Sequence, residues 1–104
     1  MSDLLMRQQE FAAMLPTLLQ FIIDNGYQYT LGDAYRDKRC PYGNRRSLHN
    51  ERLAIDLNLF KDGRFLQSSE DHKIIGEYWE SLGGSWGGRF NDGNHYSLSF
   101  NGMK

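Results

Sequence analysis

The chain has 104 residues, with 12 Lys and Arg against 13 Asp and Glu and a formal net charge of −1. That length suits one domain, residues 1–104, and leaves too little for a second globular unit of ordinary size. The balanced charge lacks the basic excess of a nucleic-acid-binding surface, and no apolar run is long enough to span a bilayer, so neither nucleic acid nor stable membrane association is expected.

Met1 to Gln9 carries Asp3, Arg7 and Gln8 and has no uninterrupted apolar core, so it does not read as a secretory signal. Synthesis in the cytoplasm is expected. From Asp3 to Ile23, Leu4, Leu5, Phe11, Met14, Leu15, Leu18, Leu19 and Ile22 recur at three- and four-residue steps, which predicts an amphipathic helix. Pro16 has no N–H to donate, so a kink or a break is expected there, with Pro16 opening a second short helix. Asn25-Gly26 is a stop signal.

Tyr27 to Arg36 alternates Tyr27, Tyr29 and Leu31 against Gln28, Thr30 and Gly32, a strand period. Asp37 to Ser47, with Pro41, Gly43 and Asn44, reads as an exposed loop. It holds the single cysteine, Cys40, which cannot form an internal disulfide. Leu53 to Phe60 is the clearest strand, with Leu53, Ile55, Leu57 and Leu59 facing one way and Ala54, Asp56 and Asn58 the other. Asp62-Gly63 fits a tight hairpin turn into Arg64-Phe65-Leu66. Ser68 or Ser69 can cap a helix from Glu70 to about Leu82, with Ile74, Ile75, Tyr78, Trp79 and Leu82 as its apolar stripe and Gly83-Gly84 as its end. A glycine-rich stretch then leads to a last strand, Asn94 to Phe100. The order predicts an α+β domain: a mostly antiparallel sheet with helices packed on one face.

Strand parity brings polar residues together on the other face. If the leucine face of Leu53 to Phe60 packs on the helices, Asp56 points away from them, and if Tyr96, Leu98 and Phe100 do likewise, so does His95. Strict alternation adds Arg36 to that face, although Gly32 leaves the parity open. His49 lies seven residues before Asp56, an odd separation, so the chain must bend between them for the two to converge. Two imidazoles and one carboxylate with a fourth position left for water make a catalytic zinc arrangement. Asp92, three residues before His95, adds a carboxylate able to take a proton from water, and Arg36 is suited to stabilising an oxyanion.

Each of these residues also has an ordinary explanation. His72, placed on the exposed side of the second helix, is expected to be solvated and to have no role. Cys40 can be imagined as a ligand beside His49, but a loop thiol is more often incidental. The pairs Gly83-Gly84 and Gly87-Gly88 lack the spacing of a phosphate cradle, and Arg45 and Arg46 can be a solvated pair. Trp86 either walls a substrate groove or plugs the core.

Ser47-Leu48-His49-Asn50-Glu51-Arg52-Leu53-Ala54-Ile55-Asp56 resembles the S-x-H-x-x-x-x-A-x-D signature of the zinc D-alanyl-D-alanine carboxypeptidase and dipeptidase superfamily, which includes phage L-alanyl-D-glutamate endopeptidases. Asp92-Gly93-Asn94-His95-Tyr96 resembles its partner motif, and Leu31 to Arg36 and Trp86 to Phe90 read like the phage branch. The resemblance implies zinc held by His49, Asp56 and His95, with Asp92 as general base, Arg36 near the scissile carbonyl and Ser47 in substrate binding; Trp86 is the other candidate substrate-binding residue. Arg52 stands where many relatives have glycine, so a different bend and a positive side chain in the groove are expected. Asp92 replaces the glutamate of some branches.

The expected activity is hydrolysis of a stem-peptide bond of peptidoglycan, of the L-alanyl-D-glutamate endopeptidase type, by a monomer that reaches the bacterial wall through a membrane pore. The alternatives are a D,D-carboxypeptidase or dipeptidase of the same superfamily and a non-catalytic metal or wall-peptide binding module.

Overall fold

Ser2 starts the first helix by accepting a hydrogen bond from the Leu5 N–H at 3.1 Å, and α1 runs Asp3–Asp24 with Phe11, Leu18 and Ile22 buried. The structure, a computed structural model, describes residues 2–37, 39 and 47–104. Cys40, Arg45, Arg46 and most of the polar loop around them lie outside the described residues. The break expected at Pro16 does not occur, and the helix is one element. Pro16 forfeits only its own bond to the Ala12 carbonyl, while Leu18 and Ile22 beyond it are locked into the core at 0% exposure. The helix ends at Asn25-Gly26 with Gly26 N–H to Ile23 O at 3.0 Å and Tyr27 N–H to Ile22 O at 3.1 Å, the paired bonds of a Schellman cap.

β1, Gln28–Leu31, is shorter than the alternation through Arg36 suggested, and Leu31 at its end is exposed. Past it, Gly32 N–H still bonds Asp56 O at 2.8 Å and Asp56 N–H bonds Asp33 O at 3.0 Å before the chain leaves the sheet. β2, Ala54–Lys61, buries Ile55, Leu57 and Leu59 and leaves Asp56, Asn58 and Phe60 half-buried on the opposite face. Asp62 and Gly63, at φ +52° and +76°, form the left-handed two-residue turn that the right-handed sheet twist favours, leading into β3, Arg64–Leu66.

The second helix begins with a 3-10 turn, Glu70–His72, before α2, Lys73–Ser81. Ser68 is the capping residue, accepting from the Asp71 N–H at 3.1 Å. The buried face of this segment is His72, Ile75, Gly76 and Trp79, whereas Ile74 is exposed. The expectation that His72 is solvated is therefore overturned. His72 is 1% exposed, and its Nδ1 lies 2.8 Å from the Tyr96 hydroxyl. Its spacing of three and seven to Ile75 and Trp79 places it on their face, and the Tyr96 hydroxyl supplies the partner that makes burial tolerable. Burial in turn pushes the Tyr96 phenol up from its ordinary pKa.

The glycine-rich stretch contains a strand not foreseen in the sequence, β4, Ser85–Trp86, and β5 covers only His95–Ser97. The sheet order is β1-β2-β5-β4, with β3 on β2, and every pairing is antiparallel. Phe11, Leu18 and Ile22 of α1 and Ile75 and Trp79 of α2 share one core with Ile55, Leu57, Leu59 and Tyr96 of the sheet. The fold class is as expected: α+β, one small domain, helices on one face of an antiparallel sheet. No helix among the described residues is long and apolar enough to cross a membrane.

Burial holds the His72 imidazole below its ordinary value of 6.5, opposed in part by the Leu66 backbone and Asp71. The unfolded chain then binds the extra proton first as pH falls, so the contribution of neutral His72 is complete above 6.5 and is lost progressively below it. The melting temperature is expected to decline as pH drops below 6.5, and His72→Gln to make that decline shallower. An unchanged slope in the variant would contradict this.

Candidate metal centre and cleft

His49 is set by a single 3-10 turn, Leu48–Glu51. Ser47 Oγ caps the turn by accepting the His49 N–H at 3.1 Å, and Leu48, 1% exposed, pins it to the core. The turn ends at Arg52, which takes the left-handed conformation at φ +58°. This is the bend that the odd separation of His49 and Asp56 required. Arg52 adopts for itself the backbone that glycine adopts freely, a strain typically of about 1–2 kcal/mol. Its guanidinium lies 4.0 Å above the Tyr35 ring and does not line the cleft, contrary to the expectation of a positive side chain in the groove.

Asp56 of β2 and His95 of β5 are direct cross-strand partners. His49 Nε2 is 3.2 Å from Asp56 Oδ1, His95 Nδ1 is 4.0 Å from the same oxygen, and the imidazoles meet edge to face at 5.2 Å between centroids. One ligand atom from each of the three lies within 4.8 Å of the others. Three atoms bound to one zinc ion at ordinary bond lengths sit roughly 3.3–3.5 Å apart. The Asp56 to His49 pair already meets that requirement at 3.2 Å, the others would draw in on binding an ion, and two imidazoles with a carboxylate are a zinc donor set. Both rings are buried, at 3% and 5% exposure, and Phe90 packs its ring edge to face on His95 at 5.7 Å. Burial, then the nearness of His49, lowers the His95 pKa against the pull of Asp92 and Asp56. A neutral ring nitrogen is what a metal needs.

Asp92 stands at the rim, its side chain 53% exposed and Oδ2 3.9 Å from His95 Nδ1. Its turn is held by Asp92 N–H to Gly87 O at 2.8 Å, His95 N–H to Asp92 O at 3.1 Å, and Trp86 Nε1–H to Gly93 O at 2.8 Å. A Cβ at Gly87 would lie 2.2 Å from Asp92 O and 2.7 Å from His95 Cβ, so only glycine allows the turn to close this tightly. Trp86 itself is a core residue, 4% exposed and absent from the cleft lining. Of the two roles considered for it, the plug is the one its position matches.

Arg36 reaches the cleft from the loop after β1 rather than through strand alternation. Its N–H bonds His49 O at 3.1 Å, and Nη2 lies 3.3 Å from Asp33 Oδ2. The cleft, of about 630 Å³, gathers Arg36, Ser47, His49, Asp56, Asp92 and His95. Phe90, Met103 and Lys104, not singled out in the sequence, also line it. Asn101 and Gly102, both at positive φ, fold the chain back so that Phe100 and Met103 exchange backbone bonds at 2.9 and 3.1 Å. That Asn-Gly pair is the signal that would have brought Lys104 into consideration.

Residues 42–98 match the family described as D-alanyl-D-alanine carboxypeptidase. No curated protein matches the chain.

The close approach at Gly87 has a measurable consequence. Gly87→Ala is expected to cost about 1–3 kcal/mol, since the Asp92 to His95 turn must shift outward. Urea denaturation would read the loss; a variant as stable as the parent would show that the turn has room to spare.

Proposed function

The chain belongs to the family described as D-alanyl-D-alanine carboxypeptidase, and from that premise we propose that it is a zinc peptidase acting on peptidoglycan stem peptides, as an L-alanyl-D-glutamate endopeptidase of the phage lysis type. The observation that carries this reading is the convergence of His49, Asp56 and His95 within 4.8 Å, with Asp92 at the rim of the same cleft.

In this reading His49, Asp56 and His95 hold the zinc. When bound, the ion supplies Lewis acidity, lowering the pKa of water at the site to about 7 and polarising a carbonyl. Asp92, the more exposed of the two carboxylates, accepts the proton of the attacking water on Oδ2 and passes it to the departing amine. Such help is worth typically about 10²–10⁴-fold in rate. Arg36 donates N–H groups to the carbonyl oxygen as negative charge develops there, with its orientation set by Asp33 and by the backbone bond to His49. Ser47 serves the site by holding His49 in its turn, beside any contact it makes with substrate.

A second reading, D,D-carboxypeptidase or dipeptidase, draws on Arg36 and Lys104 in the cleft, cations of the kind that grip a terminal carboxylate. Mass spectrometry of the products from defined muropeptides separates the two: release of terminal D-alanine supports the second, cleavage after the first stem residue the first. A metal-binding module without activity is opposed by Asp92, an acid beside the donor set that a purely structural site does not need.

His49→Ala is expected to abolish both zinc uptake and hydrolysis. Asp92→Ala is expected to keep about one zinc per chain and to lose about 10²–10⁴-fold in turnover. Zinc retained at full stoichiometry in His49→Ala, or clearing of cell walls undiminished after thorough chelation, would contradict the assignment.

A further inference from the structure

Asp92 is a shared wall. It also lines a second cleft, of about 480 Å³, to which Asn58, Gln67, Ser68, Ser69, Asn91 and Asn94 bring amides and hydroxyls. Asn58 is two residues beyond Asp56 on the same face of β2, so this cleft continues the first along the strand at a distance of about 7 Å. Phe65 lines its edge, 47% exposed, with its ring 5.2 Å from that of Phe60. Phe60 and Phe65 are cross-strand partners, so both rings share the sheet face of Asp56 and Asn58.

The lining has one carboxylate, Asp92, one imidazole, that of His72, which burial keeps neutral, and no Lys or Arg. A group bearing a carboxylate would be desolvated there with no cation to meet it and with an acid beside it. A neutral group rich in hydroxyls and acetamides would find a donor or acceptor at each wall. An exposed aromatic ring beside such amides suits the apolar C–H face of a sugar ring. The cations lie in the other cleft, where Arg36 and Lys104 face the trio of His49, Asp56 and His95.

We propose that this second cleft is a subsite for an N-acetylated sugar of the glycan strand, so that the chain takes stem peptides still attached to their glycan. The sugar lies over Asn58 and Phe65, and the anionic remainder of the peptide runs past Arg36 and Lys104. The proposal rests on the peptidase reading above and deepens it. With the sugar about two strand residues from Asp56, the bond presented at the metal centre is one close to the glycan, as an endopeptidase requires and a carboxypeptidase does not.

Two measurements test it. Titrating the ¹⁵N-labelled chain with tetra-N-acetylchitotetraose at millimolar concentration is expected to shift the amide resonances of Asn58, Phe65 and Asn91, and Phe65→Ala to weaken that binding about tenfold. In kinetics, a disaccharide-bearing stem peptide is expected to exceed the same peptide without its sugars by about tenfold in kcat/KM. Phe65→Ala and Gln67→Ala, both surface changes, should erase that preference while leaving zinc content and the rate on the sugar-free peptide unchanged. Absence of shifts in the cleft overturns the proposal, and so does equal kcat/KM on the two substrates. If neither substrate is cut, the peptidase reading fails and the oligosaccharide titration alone decides what the cleft binds.

Discussion

The site depends on one antiparallel pairing, that of Asp56 with His95. Side chains alternate along a strand, so moving β5 by one residue against β2 would set Asp56 opposite Tyr96 or Asn94 in place of His95, and turning either strand over would bury its polar group. The apolar residues on the other face prevent this. Ile55 lies opposite Tyr96, and the bonds Leu57 N–H to Asn94 O and Leu98 N–H to Leu53 O, both 2.9 Å, close the pairing at its two ends. Inverting β2 would expose Ile55, Leu57 and Leu59, a loss on the order of 5–9 kcal/mol. A partly exposed ion pair is worth at most about 1 kcal/mol. The core, rather than attraction within the site, decides where the site forms.

Several of the segments around the cleft are tied to one another by hydrogen bonds to the backbone. His49 O receives the N–H of Arg36, so the histidine turn and the arginine loop are placed together. Gly32 N–H bonds Asp56 O, and a Cβ on Gly32 would meet Asp56 Cβ at 3.0 Å, so the loop after β1 crosses hard against the strand acid. On the other side, Trp86 plugs the core with its ring and steadies the Asp92 turn with its indole N–H. The side chains available for chemistry are thus carried on short turns whose own anchors are buried. This is the arrangement that holds a reacting group in place with little entropy left to lose.

The two clefts that share Asp92 differ in kind. One carries His49, His95, Arg36 and Lys104, and the other amides and hydroxyls, the exposed ring of Phe65 and the buried imidazole of His72. A substrate that is neutral at one end and anionic at the other would be oriented by that contrast, since Arg36 and Lys104 line the first cleft and no Lys or Arg lines the second.

Much of this was legible in the chain itself. The 3.6-residue spacing of α1, the alternation of β2 and the Asp62-Gly63 turn follow from local sequence, because each rests on neighbours a few residues apart. The opposition of Asp56 and His95 followed from parity once a common core was assumed. Folding in three dimensions decided the rest. Pro16 stays inside one helix because packing at Leu18 and Ile22 outweighs a single lost hydrogen bond. His72 is buried because a tyrosine from a distant strand offers its hydroxyl, and Lys104 lines the cleft because Asn101-Gly102 turns the chain back. Strand β4 is only two residues long and is a strand only because β5 lies beside it. Periodicity records which face of an element is apolar; which polar groups then meet depends on contacts between residues far apart in sequence, and those exist only once the core has closed.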